Sequence, residues 1–146
     1  ILIPIYNFNV INLTQTLIAQ SEKLKICFEI LCYDDGSYKN FKDANKLLLN
    51  QENITYKEFK KNIGRSKIRN LLAKKAKYDY LLFLDCDSGI IKSDFVEKYL
   101  KNKHKADVIY GGRIHNPKPI KNAVRCYPIW LAILAKCIDL KITKAP

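Results

Sequence analysis

The sequence predicts an α/β fold built on a mainly parallel, doubly wound sheet, and three observations predict it. Short apolar runs alternate with helix-like stretches, the pattern of crossover units whose helices cover both faces of a sheet. The runs themselves contain few polar residues, as strands buried on both faces do. Four of them end in polar loops, and such sheets bind ligands beyond the carboxyl ends of their strands. With 146 residues and 48% hydrophobic content, the chain suffices for one domain with a sizeable core and hardly for two.

The elements follow in order. Ile1 to Tyr6 reads as a strand, and Val10 to Lys23 as a helix with Val10, Leu13, Leu17 and Leu24 on one stripe. Phe28 to Tyr33 is the second strand, and after the Gly36-Ser37 turn Phe41 to Leu49 is the second helix. Ile54 to Phe59 is the third strand, and Arg65 to Ala76 follows as a helix carrying Ile68, Leu71, Leu72 and Ala76. Tyr80 to Leu84 makes a fourth strand, Asp94 to Lys103 a helix capped by Ser93, and Ala106 to Tyr110 a fifth strand.

The fourth run ends abruptly in Asp85-Cys86-Asp87. Residues at i and i+2 of a strand project to one face, so the two carboxylates are expected to converge on one cation. Paired hard oxygens suit Mg2+ or Mn2+, ions that also hold phosphate oxygens. Taken alone, Asp-Cys-Asp-Ser-Gly is as readily a strand end and a turn. Asp34-Asp35-Gly36-Ser37 closes the second strand, where a carboxylate can accept from a base N–H or ribose hydroxyls, or simply shape a turn. In Asn62-Ile63-Gly64-Arg65-Ser66, Gly64 lets backbone approach a ligand, and the helix start favours anions. Arg65 and Arg69, four apart on one face, suit bidentate donation to a diphosphate; the alternative is an exposed basic helix start.

Charge and thiols narrow the partners. The 26 Lys and Arg against 14 Asp and Glu give a formal charge of +12, which favours anionic partners. The excess is scattered lysine, as in Lys57 to Lys61 and Lys101 to Lys105, without a nucleic-acid motif, so no nucleic-acid partner is expected. Five cysteines, an odd number with no CxxC pair, argue for reduced thiols and a cytoplasmic setting. The chain opens on a strand without a basic leader, and its longest apolar stretch, Ile129 to Leu140, is too short to span a bilayer. There is no G-x-x-x-x-G-K-[ST] and no G-x-G-x-x-G, which counts against P-loop and dinucleotide chemistry.

Ile-Pro-Ile-Tyr-Asn at the start, Tyr-Asp-Asp-Gly-Ser, Asn-Ile-Gly-Arg-Ser-Lys-Ile-Arg-Asn and Leu-Phe-Leu-Asp-Cys-Asp-Ser-Gly stand in the order and spacing of the family 2 glycosyltransferases, which residues 1 to 112 resemble. The resemblance implies a Rossmann-like GT-A fold, a nucleotide-sugar donor (a UDP-sugar by default), a divalent metal at an aspartate-x-aspartate motif, and inverting transfer to an acceptor hydroxyl. Carried over by position, Pro4 and Tyr6 border the nucleoside, Asp35 and Asp34 contact base or ribose, and Arg69 approaches the nucleotide. Asp85 lies near ribose and metal, and Asp87 is the main metal ligand.

Residues 1 to 112 are thus expected to form a donor-binding subdomain, and residues 113 to 146 an incomplete segment at the start of an acceptor-binding region. Inverting transfer needs a general base, which the family usually supplies from an acidic pair after the metal motif. No such pair follows Gly112, where Asp139 is the single carboxylate, so no catalytic residue is identified. The expected role is sugar transfer in polysaccharide or glycoconjugate synthesis, to a saccharide or lipid-linked acceptor. The alternatives are a noncatalytic donor-binding fragment and a nucleotidyltransferase. The latter usually has a Gly-rich loop after the first strand, where Tyr6-Asn7-Phe8-Asn9 has no glycine. His115 is a loop histidine that would otherwise approach a phosphate or metal. Trp130 with Ile129, Leu131, Ile133 and Leu134 reads as a helical stripe covering the sheet, or as a peripheral contact at the inner face of the membrane.

Overall fold

The computed structural model describes residues 1–111 and the backbone of residues 133–136. Strands β1 (Leu2–Ile5), β2 (Ile30–Asp34), β3 (Ile54–Glu58), β4 (Tyr80–Phe83), β5 (Val108–Tyr110) and β6 (Ile133–Lys136) form one sheet in the order β3-β2-β1-β4-β6-β5. The four strands β3-β2-β1-β4 are parallel, whereas β6 lies antiparallel between β4 and β5. Helices α1 (Ile11–Lys23), α2 (Lys39–Asn45), α3 (Arg65–Lys75) and α4 (Phe95–Asn102) supply the crossovers.

Strand alternation divides the core into two layers. Ile3, Ile5, Ile30, Cys32, Leu82 and Leu84 pack with Val10, Leu13 and Leu17 of the α1 segment and with Val96 and Tyr99 of α4. Leu2, Leu31, Tyr33 and Leu81 face the other way, onto Ile68 and Leu72 of α3. Both faces are therefore covered, which is why the strands are apolar at successive positions.

Several expected boundaries change. The second helix ends at Asn45 and continues as a 3-10 turn, Lys46–Asn50. Asp94, not Ser93, is the cap position of α4, and no cap side chain bonds the helix. Its carboxylate pairs instead with Lys98 at 2.8 Å. The capping role falls to Gln20 of α1, whose Oε1 accepts from Val96 N–H at 3.1 Å while its Nε2 donates to Lys92 O at 2.9 Å. An orphan N–H at the helix start is satisfied from a neighbouring helix. Ile133 and Leu134 belong to strand β6 and not to a helical stripe: the free edge of β4 offers a ladder of backbone groups, and β6 pairs with it from Tyr80↔Lys136 to Phe83↔Ile133. His115, Trp130 and Asp139 lie outside the described residues. Among the described residues no helix is long and apolar enough to cross a membrane.

Asn45 is fully buried and ties α2 to the β1–α1 loop, its Oδ1 accepting from Val10 N–H at 3.0 Å and its Nδ2 donating to Phe8 O at 2.8 Å. Asn45→Ala strands both backbone groups and is expected to cost roughly 2–3 kcal/mol of stability, read from urea unfolding midpoints. An unchanged midpoint would contradict the tie.

Candidate functional site

In the order β3-β2-β1-β4 the chain reverses its winding beside β1, and sheets of this kind take their ligands at the carboxyl ends of the strands flanking such a point, here β1 and β4. Pro4 parts them. The carbonyls of Ile1 and Ile5 bond toward β2, to Leu31 N–H and Asp35 N–H at 2.8 Å each, whereas Leu2 O accepts from Leu84 N–H of the β4 segment at 3.0 Å. By the alternation of a parallel ladder, residue 4 should donate next toward β4, and proline has no N–H. Pairing of β1 with β4 is confined to Leu2↔Phe83, and the strands part beyond it. Tyr6, half-exposed, stands on the β1 side of the opening.

The loop after β2 is held by its own acids. Asp34 is fully buried, and its Oδ1 accepts from Ser37 N–H at 2.7 Å. Asp35, also buried, accepts from Ile63 N–H at 2.7 Å through Oδ1 and from Gly64 N–H at 3.0 Å through Oδ2. One carboxylate thus grips the loop that leads into α3. Asn7, in the left-handed region at φ 51°, fastens the loop after β1 to the same framework. Its N–H donates to Ser37 Oγ at 2.8 Å, and its Oδ1 accepts from Tyr38 N–H at 2.8 Å. Asp34 and Asp35, expected to contact base or ribose, have oxygens engaged in holding these loops.

Gly64 is the cap position of α3, so Arg65 and Arg69 fall on the first turns, one above the other. Both reach Asp85: Arg65 Nη2 donates to Oδ2 at 3.2 Å, and Arg69 Nη2 donates to Oδ1. The basic helix start is therefore no idle surface. Burial pushes the Asp85 carboxyl above its ordinary range; Arg69 and then Arg65 pull it down, and the negative charge of Asp87 pushes it up. Asp87 is exposed. Between them Cys86 is free and half-buried, and burial raises its thiol.

The strand ends at Phe83, so the carboxylate pair is carried by a turn, closed by Ser88 N–H donating to Asp85 O at 3.1 Å, and not by strand alternation. Parting from β1 at Pro4 leaves that stretch without a ladder partner. The donor set nevertheless fits a Mg2+ or Mn2+ ion, since Asp85 and Asp87 bring two hard carboxylates close enough to feel each other's charge. Among the described residues no three acidic, histidine or cysteine groups cluster, so further ligands to such an ion would come from phosphate and water.

Reasoning from the sequence missed the roles of Asn7, Gln20 and Asn45. Asn7 and Asn45 carried a signal of sorts, as asparagines beside a turn and at a helix end; Gln20 on an amphipathic helix carried none.

The family model described as glycosyl transferase family 2 matches residues 1–142. An uncharacterized glycosyltransferase of Rickettsia felis is 34% identical over 112 residues, which are 75% of this chain and 18% of that protein. The chain thus spans under a fifth of that relative's length. Among solved structures, residues 1–349 of S. aureus TarS in complex with UDP-GlcNAc superpose with a TM-score of 0.65 at 24% identity, covering 82% of this chain and 35% of that one. A mannosyltransferase of Pyrobaculum calidifontis in complex with GDP-Man and Mn2+ gives 0.56 at 18% identity, covering 68% and 30%. The fold is that of the GT-A transferases, as the sequence implied.

Two glycines of the site separate steric from conformational demands. Gly64, at φ 93° and ψ 152°, has nothing within 4 Å of a Cβ, so Gly64→Ala is expected to cost about 1–3 kcal/mol from backbone strain alone. Gly36, at φ 80°, would place a Cβ 2.6 Å from Asn62 N and 2.7 Å from Lys61 C, so Gly36→Ala is expected to destabilise more. Thermal unfolding of the two variants ranks them, and the reverse order would contradict the close approach of these loops.

Proposed function

The chain belongs to glycosyl transferase family 2, and we propose that residues 1–112 form the nucleotide-sugar site of a metal-dependent, inverting glycosyltransferase. One observation carries the proposal: Arg65 and Arg69 meet the Asp85-Cys86-Asp87 turn at the opening between β1 and β4. Guanidinium forks match diphosphate oxygens, and carboxylates match the cation that accompanies them. Support comes also from TarS, solved with UDP-GlcNAc and with UDP, and from the mannosyltransferase solved with GDP-Man and Mn2+. A UDP-sugar is the first donor to test.

In this reading Pro4 and Tyr6 border the nucleoside, and the Asp34 and Asp35 loops place the backbone around the base and ribose. Arg65 and Arg69 hold the diphosphate. Asp85 and Asp87 would hold a Mg2+ or Mn2+ ion, which supplies Lewis-acid stabilisation of the departing nucleoside diphosphate. The acceptor oxygen bonds to the anomeric carbon from the face opposite the bond that breaks, and its proton passes to a general base. None of the four site aspartates is given that part, since Asp34 and Asp35 hold loops and Asp85 and Asp87 face the diphosphate.

The acceptor we envisage is a saccharide or lipid-linked saccharide in polysaccharide or glycoconjugate synthesis. Cys27, Cys32 and Cys86 are free thiols, which suits the cytoplasm. The inner membrane face is where a lipid-linked acceptor would be met.

Calorimetry with UDP-GlcNAc, with and without Mn2+, tests the assignment. Asp87→Ala is expected to weaken the Mn2+-dependent part of binding about tenfold or more, ~1.4 kcal/mol upward. Equal affinity in wild type and variant would remove Asp87 from the metal site. Sugar transfer or donor hydrolysis by residues 1–146 would separate an active transferase from a binding fragment.

A further inference from the structure

The 3-10 turn Lys46–Asn50 keeps one leucine in the core and puts two in water. Leu48 is 2% exposed and belongs with Ile54 and Tyr56 to the core layer that faces α1, whereas Leu47 and Leu49 are 63% and 62% exposed. Side chains two residues apart on such a turn diverge by about 120°, so the pair flanks the buried leucine on both sides. The surroundings are basic. The α2 segment and the turn bring Lys39, Lys42 and Lys46, and the end of β3 with the loop after it brings Lys57, Lys60 and Lys61. Folding makes neighbours of these two groups, since Lys42 Nζ donates to Phe59 O at 3.0 Å. Against them stand Asp43, which pairs with Lys46 at 2.7 Å, and the acids Glu52 and Glu58, so the flank keeps an excess of positive charge.

We infer that this flank, Leu47 and Leu49 with the lysines of α2 and the β3 end, docks the chain on an anionic bilayer surface. Aliphatic side chains enter the boundary between headgroups and acyl chains, and the ammonium groups around them meet lipid phosphate. The observations favour lipid over other occupants. A second copy of this chain would bring like charges face to face around the leucines. Nucleic acid calls for aromatic platforms or a base-reading element, and leucine supplies neither. The edge strand β3 is separated from β1 and β4 by β2, so docking on this flank leaves the carboxyl ends of β1 and β4 open to solution. The inference stands apart from the donor-site reading and does not need it.

Co-sedimentation of residues 1–146 with sucrose-loaded vesicles tests the docking, phosphatidylcholine alone being compared with phosphatidylcholine and phosphatidylglycerol at low and at high salt. Wild type is expected on the anionic vesicles at low salt and free of them at high salt, because counterions screen exposed charge. Lys39→Gln, Lys60→Gln and Lys61→Gln together are expected to weaken partitioning by well over tenfold, at about fivefold per charge. Lys23→Gln, Lys75→Gln and Lys105→Gln remove the same charge from exposed positions elsewhere. That control is expected to lose less than about tenfold. Leu47→Ser with Leu49→Ser is expected to weaken binding about tenfold while the salt dependence stays. Equal losses in the two lysine variants would reduce the effect to net charge and overturn the flank. Full affinity in the leucine variant would overturn it too, as would absence of wild type from anionic vesicles at low salt. A wild-type dimer in sedimentation equilibrium that the leucine variant dissolves would give the patch to a second copy and overturn the bilayer. Every substituted side chain is exposed, so circular dichroism is expected to stay unchanged; should one variant fail to fold, the other still places the contact.

Discussion

The grip of Asp35 on two successive backbone N–H groups is the constraint on which the rest of the site depends. The segment between β3 and α3 runs across the carboxyl ends of the strands, where Ile63 and Gly64 have no ladder to donate into. A buried carboxylate with two oxygens satisfies both, and a charged acceptor makes those bonds stronger than a neutral one would. Because Gly64 is the cap of α3, the grip fixes where that helix begins. The position of Arg65 and Arg69 follows from it, and so does their reach to Asp85. Asn7 and Ser37 extend the same device to the loop after β1.

A second constraint acts by omission. Pro4 lacks the N–H that would continue the β1–β4 ladder, and it sits where the winding of the sheet reverses. A proline inside a central strand ordinarily weakens a sheet. Here the missing bond coincides with the opening that the arginines and aspartates surround. Helices on both faces keep the sheet in register despite the gap, since Leu2 of β1 is buried against α3 while Ile3 and Ile5 are buried against α1. Packed layers below and hydrogen-bonded loops above bring Arg65 and Arg69 to Asp85.

Much of this was legible in the sequence, for physical reasons that can be named. Strands buried on both faces write themselves as apolar runs, so β1 through β4 and the helices between them were placed to within a few residues. The polar strand-end loops stood out because acids, asparagine and glycine are rare in such runs, and together they carried the resemblance to the family 2 glycosyltransferases. The antiparallel β6 was not legible: Ile133 and Leu134 sit in a stretch whose apolar spacing suits a helix as well, and only the open edge of β4 decides the matter. Pairings across long sequence separation were equally hidden, as Gln20 with Val96 and Asn45 with Phe8 attest. Asp85 and Asp87 were found for an imperfect reason. Their closeness comes from a turn after Phe83, where the expectation relied on strand alternation.

Asp34 and Asp35 illustrate how one motif serves two levels of the argument. Acids at a strand end suggest ligand contact, and here they also build the framework that places the ligand groups. The central claim is that the opening between β1 and β4 is a joint nucleotide and metal site. Paramagnetic broadening of amide signals by Mn2+ in the presence of UDP tests it most directly. The account predicts loss of the Cys86, Asp87 and Ser88 amides, and weaker loss at Gly64 and Arg65, with Lys77 and Tyr78 at the far end of β4 unaffected. Broadening centred on that far end, or none above the level seen with UDP and Mg2+, would contradict it.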